Sequence, residues 1–484
     1  MTGHHLALDA DSCLWRVGEL FRSPSAAHAY PGDRSLAATH SSHPEAKMPS
    51  PWGVGMGVPF RCGALAVLAS LFLLGCEARR PSLSTAPAGG SEVVVSGDTL
   101  PADVMSSDDA PSTEGLSTTL GGPLAGLDPA ELARFTAGRD EFQDQETVEN
   151  GLGPVFNEAS CVTCHDSPVG GTTGRTETRF GRGTLMGFDP LARLGGSLLQ
   201  DHAIGGVTIG DRKFVFVPEV VPPEANVKAL RLTTPLFGLG LVEAVTDAAL
   251  LELARQQARY APAIRGTPNM VQEIPTGAIR VGRFGWKAQV PTLHQFSGDA
   301  YLNEIGFTSP EFPDENLPQG NREVLAFNPA PALNDSGENV EEFADFMTLL
   351  GPPPRGPRSY LTELGGQVFR QIGCASCHTP TLITGDSPVS AMARRVFHPY
   401  SDFLLHNMGM LGDGIVQGQS TGRQMRTAPL WGLRARPAFL HDGRARTPEA
   451  AILEHGGQGS YARSRFARLP PFARNALLAF LRSL

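Results

Sequence analysis

The chain has 484 residues, 41 % hydrophobic and only 18 % charged, with 55 glycines and 40 prolines. That length accommodates two or three domains with a packed core, and the glycine and proline content predicts many loops and excludes a coiled coil. A net charge of −9 with no long basic run excludes nucleic acid as a partner.

In chain order, residues 1–55 show no periodicity and read as sequence upstream of the true start, Met48 or Met56. Residues 56–76, "MGVPFRCGALAVLASLFLLGC", have one basic residue, a short apolar run and a terminal Leu-Leu-Gly-Cys. The run is far short of the ~20 residues a membrane helix needs. It resembles a bacterial lipoprotein signal in which Cys76 is lipidated, which predicts a membrane-anchored protein on the periplasmic or cell-envelope side, at the outer membrane. Residues 77–126 are rich in Ser, Thr, Pro, Gly and Asp and read as a disordered tether. Asp128 and Pro129 then open a helix over 127–142. Further helices are expected at 247–260, followed by a hairpin, and at 338–350, ended by the prolines of "GPPPRGPRS".

Cys13 and Cys62 precede the expected cleavage point and Cys76 carries lipid, which leaves four of seven cysteines. They form "CVTCH" (Cys161, Cys164, His165) and, 213 residues later, "CASCH" (Cys374, Cys377, His378). Around them the sequence repeats. Pro235-Leu236-Phe237-Gly238-Leu239 matches Pro429-Leu430-Trp431-Gly432-Leu433, and "RFGWKAQVPTL" (283–293) matches "LHDGRARTPEA" (440–450), with Ala288 over Ala445. This is a duplication, with halves at 127–350 and 351–484 and a longer first half. The fold class expected is mainly α, with long loops and minor β.

On one helical turn, positions i, i+3 and i+4 share a face, so each motif can hold a porphyrin edge by two thioethers while its histidine binds iron. Covalent c-type haem is the direct reading of CxxCH. A zinc site built from two distant pairs leaves each adjacent histidine unexplained. A redox dithiol lacks the βαβ pattern that accompanies it.

The stretches "GLGPVFNEASCVTCH", "RVGRFGWKAQVPTL", "YSDFLLHNMG", "RTAPLWGL" and "FLHDGRARTPEAAILEHGG" resemble the di-haem oxidoreductase family, whose members are labelled peroxidases and sometimes thiol oxidoreductases. The resemblance spans about 127–484 and extends distantly to bacterial di-haem cytochrome c peroxidases and to the enzyme that matures methylamine dehydrogenase. It implies two cytochrome c-like helical domains with one haem c each. It also implies peroxide reduction at the N-terminal haem, with electrons arriving through the C-terminal haem from a small redox protein or quinol-linked donor. An interdomain calcium ion is common in such enzymes, and no residue in this sequence fixes one.

By the same resemblance, the distal ligand of the second haem lies 14 residues beyond the histidine of "HDG": His441 gives His455, with Met408, Met410 and Met425 as rivals. His441 is expected to hydrogen-bond near that haem, and His406 to support it. With Phe284 placed over His441, the counterpart of His455 is Gly298, which offers no ligand and leaves an open iron position after His165. A catalytic glutamate expected 20 residues after Phe284 is Glu304, which would shuttle the peroxide proton. Trp286 is a candidate for electron transfer and His294 for proton transfer or ligation, with His202 and Met186 as further candidate ligands. Three rivals remain: an oxidase of an organic or protein substrate, a non-enzymatic electron carrier, and a thiol oxidoreductase, which would need free thiols.

Overall fold

Helix α1, Pro129–Glu141, begins where its sequence dictates: Asp128 accepts from the amides of Ala130 and Glu131, and Glu131 reaches back to the Asp128 amide. The structure, a computed structural model, describes residues 119–484 apart from 332. The expected leader, Cys76 and the tether up to residue 118 lie outside the described residues. Eight more helices follow: α2 Leu239–Glu243, α3 Asp247–Tyr260, α4 Leu293–Ala300, α5 Glu338–Leu349, α6 Tyr360–Gln371, α7 Pro448–Glu454, α8 Ser460–Ala467 and α9 Pro471–Arg482. The helices expected at 247–260 and 338–350 are α3 and α5, and the hairpin after α3 pairs Asn269–Gln272 with Ile279–Gly282. Helix dominates, with six small sheets of two or three strands among the described residues. None of the described helices is long and apolar enough to cross a membrane.

Two large cores and a small one around Phe216, Leu317 and Val324 organise the described residues. Phe135, Phe142, Phe343 and Phe346 join α1 to α5 in the largest, and Phe369, Phe466, Leu477 and Leu481 join α6, α8 and α9 in the second. Each helix pair crosses closely at a glycine. A Cβ on Gly138 of α1 would strike the Glu342 carbonyl of α5, and one on Gly365 of α6 would strike the Ala476 carbonyl of α9. The end of the expected tether is corrected: Leu124 is buried in the larger core, and its amide bonds the Leu349 carbonyl at 2.8 Å. The leucines of "LGGPLAGL" supply apolar surface that the polar composition of 77–126 as a whole conceals.

Backbone geometry sharpens the repeat. Gly238 and Gly432 both sit at φ 69° in the matched Pro-Leu-aromatic-Gly-Leu turns. In the second matched pair, Phe284 bridges Val290 and Phe439 bridges Ala445. Gly285 (φ 75°) falls on Leu440 (φ 70°), Ala288 (φ 49°) on Gly443 (φ 70°), and the N-cap Thr292 of α4 on the N-cap Thr447 of α7. The register is therefore two residues from that expected. Trp286, not Phe284, is the counterpart of His441, and Ala300, not Gly298, is the counterpart of His455. Two alanines and two prolines had aligned by identity, whereas the fold aligns left-handed backbone positions and helix caps.

Candidate functional site

Both CxxCH segments form a single turn of 3-10 helix, Cys161–Thr163 and Cys374–Ser376, where an α-helical stretch was expected. The wanted geometry survives because the His165 amide bonds the Cys161 carbonyl at 2.9 Å and the His378 amide bonds the Cys374 carbonyl at 3.0 Å. Each turn opens into its own cavity.

The C-terminal cavity, about 270 Å³, is lined by Cys374, Cys377, His378, His406, His441 and His455. The rings of His378 and His455 face each other with centroids 6.4 Å apart. His378 Nδ1 bonds the Tyr400 carbonyl at 3.1 Å and His455 Nδ1 bonds the Ala451 carbonyl at 2.8 Å. Each bond fixes the tautomer that frees Nε2 as a ligand. Burial lowers both imidazoles, His378 to about 4, so both are neutral. Two imidazoles sharing one metal at nitrogen distances near ~2.0–2.1 Å would have ring centres roughly 6–6.5 Å apart, as here. Arg426, buried, and Arg436, partly buried, also line this cavity without a carboxylate partner, and Arg436 Nε has no hydrogen-bond partner. Burial depresses both guanidiniums to about 10. A pair of orphaned cations fits the two propionates of a haem.

The N-terminal cavity, about 450 Å³, is lined by Cys161, Cys164, His165, Ala300, Gln289 and Glu304. Burial lowers His165 to about 4, and its Nδ1 is buried without a hydrogen-bond partner of good geometry, although the Gly171 and Thr234 carbonyls act on it electrostatically. Ala300 stands where His455 stands in the other half, so that position offers only a methyl. Beyond it, Tyr301–Ile305 widens into a π-helical turn, a feature frequent at functional sites. That turn aims Glu304 into the cavity. Asn157 Nδ2 donates to Glu304 Oε2 at 2.7 Å. Glu177 and Arg179 come from the same face of strand Thr176–Thr184 and also line the cavity. Arg179 Nε donates to Glu177 Oε1 at 2.7 Å. Burial, then the charge of Glu177 and a hydrogen bond to it, raises Glu304 well above the usual carboxyl range. Arg179 outweighs the burial of Glu177 and holds it low. The environment thus favours the protonated form of Glu304 and the charged form of Glu177.

The two cysteine pairs line different cavities and do not form one four-thiolate shell. Among the described residues no cluster of three or more His, Cys, Asp or Glu side chains suits a metal ion. Burial raises Cys161 and Cys374 to about 12 and Cys164 to about 11, the reverse of a reactive dithiol.

Residues 224–484, more than half of the chain, match the family model described as "di-haem oxidoreductase, putative peroxidase". The chain belongs to this family. No functionally curated protein matches it. Among solved structures it is similar to hydrazine synthase from Kuenenia stuttgartiensis (13 % identity, covering 84 % of this chain and 100 % of that one, TM-score 0.33). It is also similar to a MauG-like protein associated with microbial copper homeostasis (16 % identity, 76 % and 93 % coverage, TM-score 0.35). A third is the diheme peroxidase BthA from Burkholderia thailandensis (15 % identity, 78 % and 89 % coverage, TM-score 0.32).

In this di-haem oxidoreductase Trp286 lines both cavities, and its Nε1 donates to the Leu232 carbonyl at 2.8 Å. Its neighbour Lys287 is fully buried. The ammonium lies 2.7 Å from Asp413 Oδ1 and donates to the carbonyls of Thr421 (3.1 Å) and Gln424 (2.5 Å). Arg231 holds the other Asp413 oxygen at 2.8–2.9 Å. Burial lowers Lys287 to about 8 against the pull of Asp413. This oxygen cage between the halves is filled by an ammonium.

Several expected residues fall elsewhere. His294 lies outside the cavity, 38 % exposed, with Nδ1 at 2.8 Å from Glu311 and Nε2 at 3.3 Å from Glu341. Thr292 caps α4 and turns His294 toward α5, so its assignment to proton transfer or iron ligation is withdrawn. His202 sits at the cavity rim, exposed, stacked on Phe156 and paired with Asp201. Met186 and Met410 are exposed, whereas Met408 and Met425 line the C-terminal cavity beside the facing histidines. His406 is buried, with Nε2 2.8 Å from Asp402 and Nδ1 3.5 Å from Cys377 Sγ. Burial opposes its charge, but Asp402 outweighs this and pushes it up to about 11. Sequence reasoning missed Glu177, Arg179, Asn157, Gln289, Arg426 and Arg436. The one available signal was Glu-Thr-Arg at period two on a strand, which aligns a carboxylate with a guanidinium.

Proposed function

We propose that this protein is a two-domain, covalently di-haem c-type peroxidase. In this reading the N-terminal cavity reduces hydrogen peroxide, and the C-terminal cavity relays electrons from a small redox protein. The observation that carries it is the asymmetry between equivalent positions. His455 faces His378, while Ala300 leaves the position beyond His165 without a ligand and Glu304 is placed beside it. His165, and the pair His378 and His455, would hold the two irons, with Cys161, Cys164, Cys374 and Cys377 as attachment points. Bound haem would supply the one-electron redox chemistry.

The side chains supply the rest. Reduction of H₂O₂ to two waters consumes two electrons and two protons. A proton must leave one peroxide oxygen and another must reach the departing oxygen. Glu304, whose proton is held by burial and by the charge of Glu177, can give it to the departing oxygen and then take up the one that leaves the other oxygen, while Glu177, held low by Arg179, tunes that affinity. Asn157 fixes the Glu304 carboxyl. Trp286, which like Phe296 lines both cavities, is the aromatic bridge in this reading. An electron carrier would need a second ligand beyond His165; His294 is held outside the cavity by Glu311 and Glu341, and His202 is held at the exposed rim by Asp201 and by stacking on Phe156. The raised pKa of Cys161, Cys164 and Cys374 and the CxxCH context disfavour a thiol oxidoreductase. Lipid anchoring at Cys76 on the periplasmic side completes the reading.

The test is electron paramagnetic resonance of the oxidised holoprotein together with peroxide consumption under a chemical reductant. One high-spin and one low-spin haem with turnover support the proposal. Two low-spin haems without turnover overturn it.

A further inference from the structure

The chain as a whole is acidic, but from Leu364 to Leu484 fourteen arginines stand against six acidic residues. All six are accounted for. Asp402 and Asp413 are buried, Asp386 pairs with Arg394, Asp442 and Glu454 with Arg444, and Glu449 with Arg474. Of the fourteen arginines, Arg426 and Arg436 line the C-terminal cavity and three are in the pairs just named; most of the rest are exposed with no ion pair among the described residues.

Part of this positive charge surrounds the opening of the C-terminal cavity. Ile264, Met408 and Tyr461 line that cavity, and Tyr461 is 59 % exposed. Met410, two residues from Met408, is 89 % exposed. The segments are continuous. Gln458, also lining the cavity, donates to the Arg265 carbonyl at 3.0 Å and accepts from the Asn407 amide at 2.6 Å, and a Cβ on Gly373 would touch Tyr461 at 3.6 Å. Exposed Arg259 and Arg265 flank Ile264, Arg423 bonds Met408 through its carbonyl, and Arg465 donates to the Tyr461 hydroxyl. None of these four arginines has an ion-pair partner among the described residues, and no acidic residue occurs at 253–272, 403–412 or 455–484. An exposed apolar patch rimmed by one sign of charge is the anatomy of a transient docking site, with the patch giving close contact and the rim steering encounter.

We infer that this patch is the docking site for the electron donor, and that the donor is a small redox protein with an acidic face around its own redox centre. The inference rests on the proposed entry of electrons at the C-terminal haem. A neutral or basic donor would gain nothing from this rim.

Anaerobic stopped-flow reduction of the oxidised holoprotein tests it, with peroxide absent so that the outcome does not depend on the substrate. The probes are an acidic and a basic single-haem cytochrome, with ascorbate plus a neutral phenylenediamine mediator as the small-molecule control. The acidic cytochrome should react faster, its second-order rate constant should fall steeply with salt, and Arg259→Glu/Arg265→Glu/Arg465→Glu should slow it by ~10-fold or more while the mediator rate stays unchanged. The milder triple Arg→Gln variant should show the same ordering. Faster reaction with the basic cytochrome, or no effect of either triple variant, overturns the inference. So does a variant that loses binding to phosphatidylglycerol vesicles while keeping its cytochrome rate, because the patch would then face lipid. Loss of peroxide turnover with the mediator would instead count against the peroxidase reading alone.

Discussion

The indole of Trp286 meets the imidazole of His441 edge-on, with ring centroids 6.3 Å apart. The two residues hold the same place in the repeat and meet where the halves join. The Leu232 backbone clasps both: its carbonyl takes the indole N–H at 2.8 Å, and its amide donates to the His441 carbonyl at 2.5 Å. Leu232 also lines both cavities.

Trp286→Phe should therefore slow electron exchange between the haems while leaving both haem absorption spectra intact. Single-turnover kinetics of the half-reduced protein measure this. An unchanged rate would remove Trp286 from the path.

His455→Met should keep the C-terminal haem six-coordinate and raise its reduction potential, because thioether ligation favours the reduced iron. His455→Ala should abolish the low-spin signal. Potentiometric titration and paramagnetic resonance check both, and a low-spin signal unaffected by His455→Ala would exclude His455 as ligand.

Glu304→Gln should cut peroxide turnover by ~10²–10⁴-fold, the range for loss of a positioned acid–base group. In the native protein Glu304 keeps its proton at pH values where an ordinary glutamate has lost it, so turnover should fall as pH rises through this raised pKa. Glu177→Gln removes the negative charge and the hydrogen bond that help to hold that proton. The alkaline limb of the kcat profile should then move to lower pH. A limb that stays in place would uncouple the two carboxyls.

Asp413→Asn strands two buried cations, Lys287 and Arg231, and should cost about 3–5 kcal/mol of unfolding free energy. Urea denaturation of the holoprotein reads it. Lys287→Met leaves Asp413 paired with Arg231 and should cost less.

His294→Ala should leave turnover unchanged, and its half-exposed pairs with Glu311 and Glu341 should contribute no more than about 1 kcal/mol to stability. A large fall in turnover would give His294 a part in proton transfer after all.

The sequence by itself determined what is local or covalent. Two CxxCH turns depend on three residue identities at fixed spacing. The capping box of α1, the limits of α3 and the stop of α5 before its prolines depend on neighbours within a few residues. The placement of Glu304 and His455 belongs to the same class, since each is a short count from a recognisable turn. The two-residue slip in the repeat marks the limit of such counting, because identical side chains aligned where equivalent backbone conformations did not. Only the tertiary structure decided which groups meet across long separations: Glu177 with Glu304, Lys287 with Asp413, Trp286 with His441. Those encounters set charge states by burial and by opposing charge, and neither can be read from the order of residues along the chain.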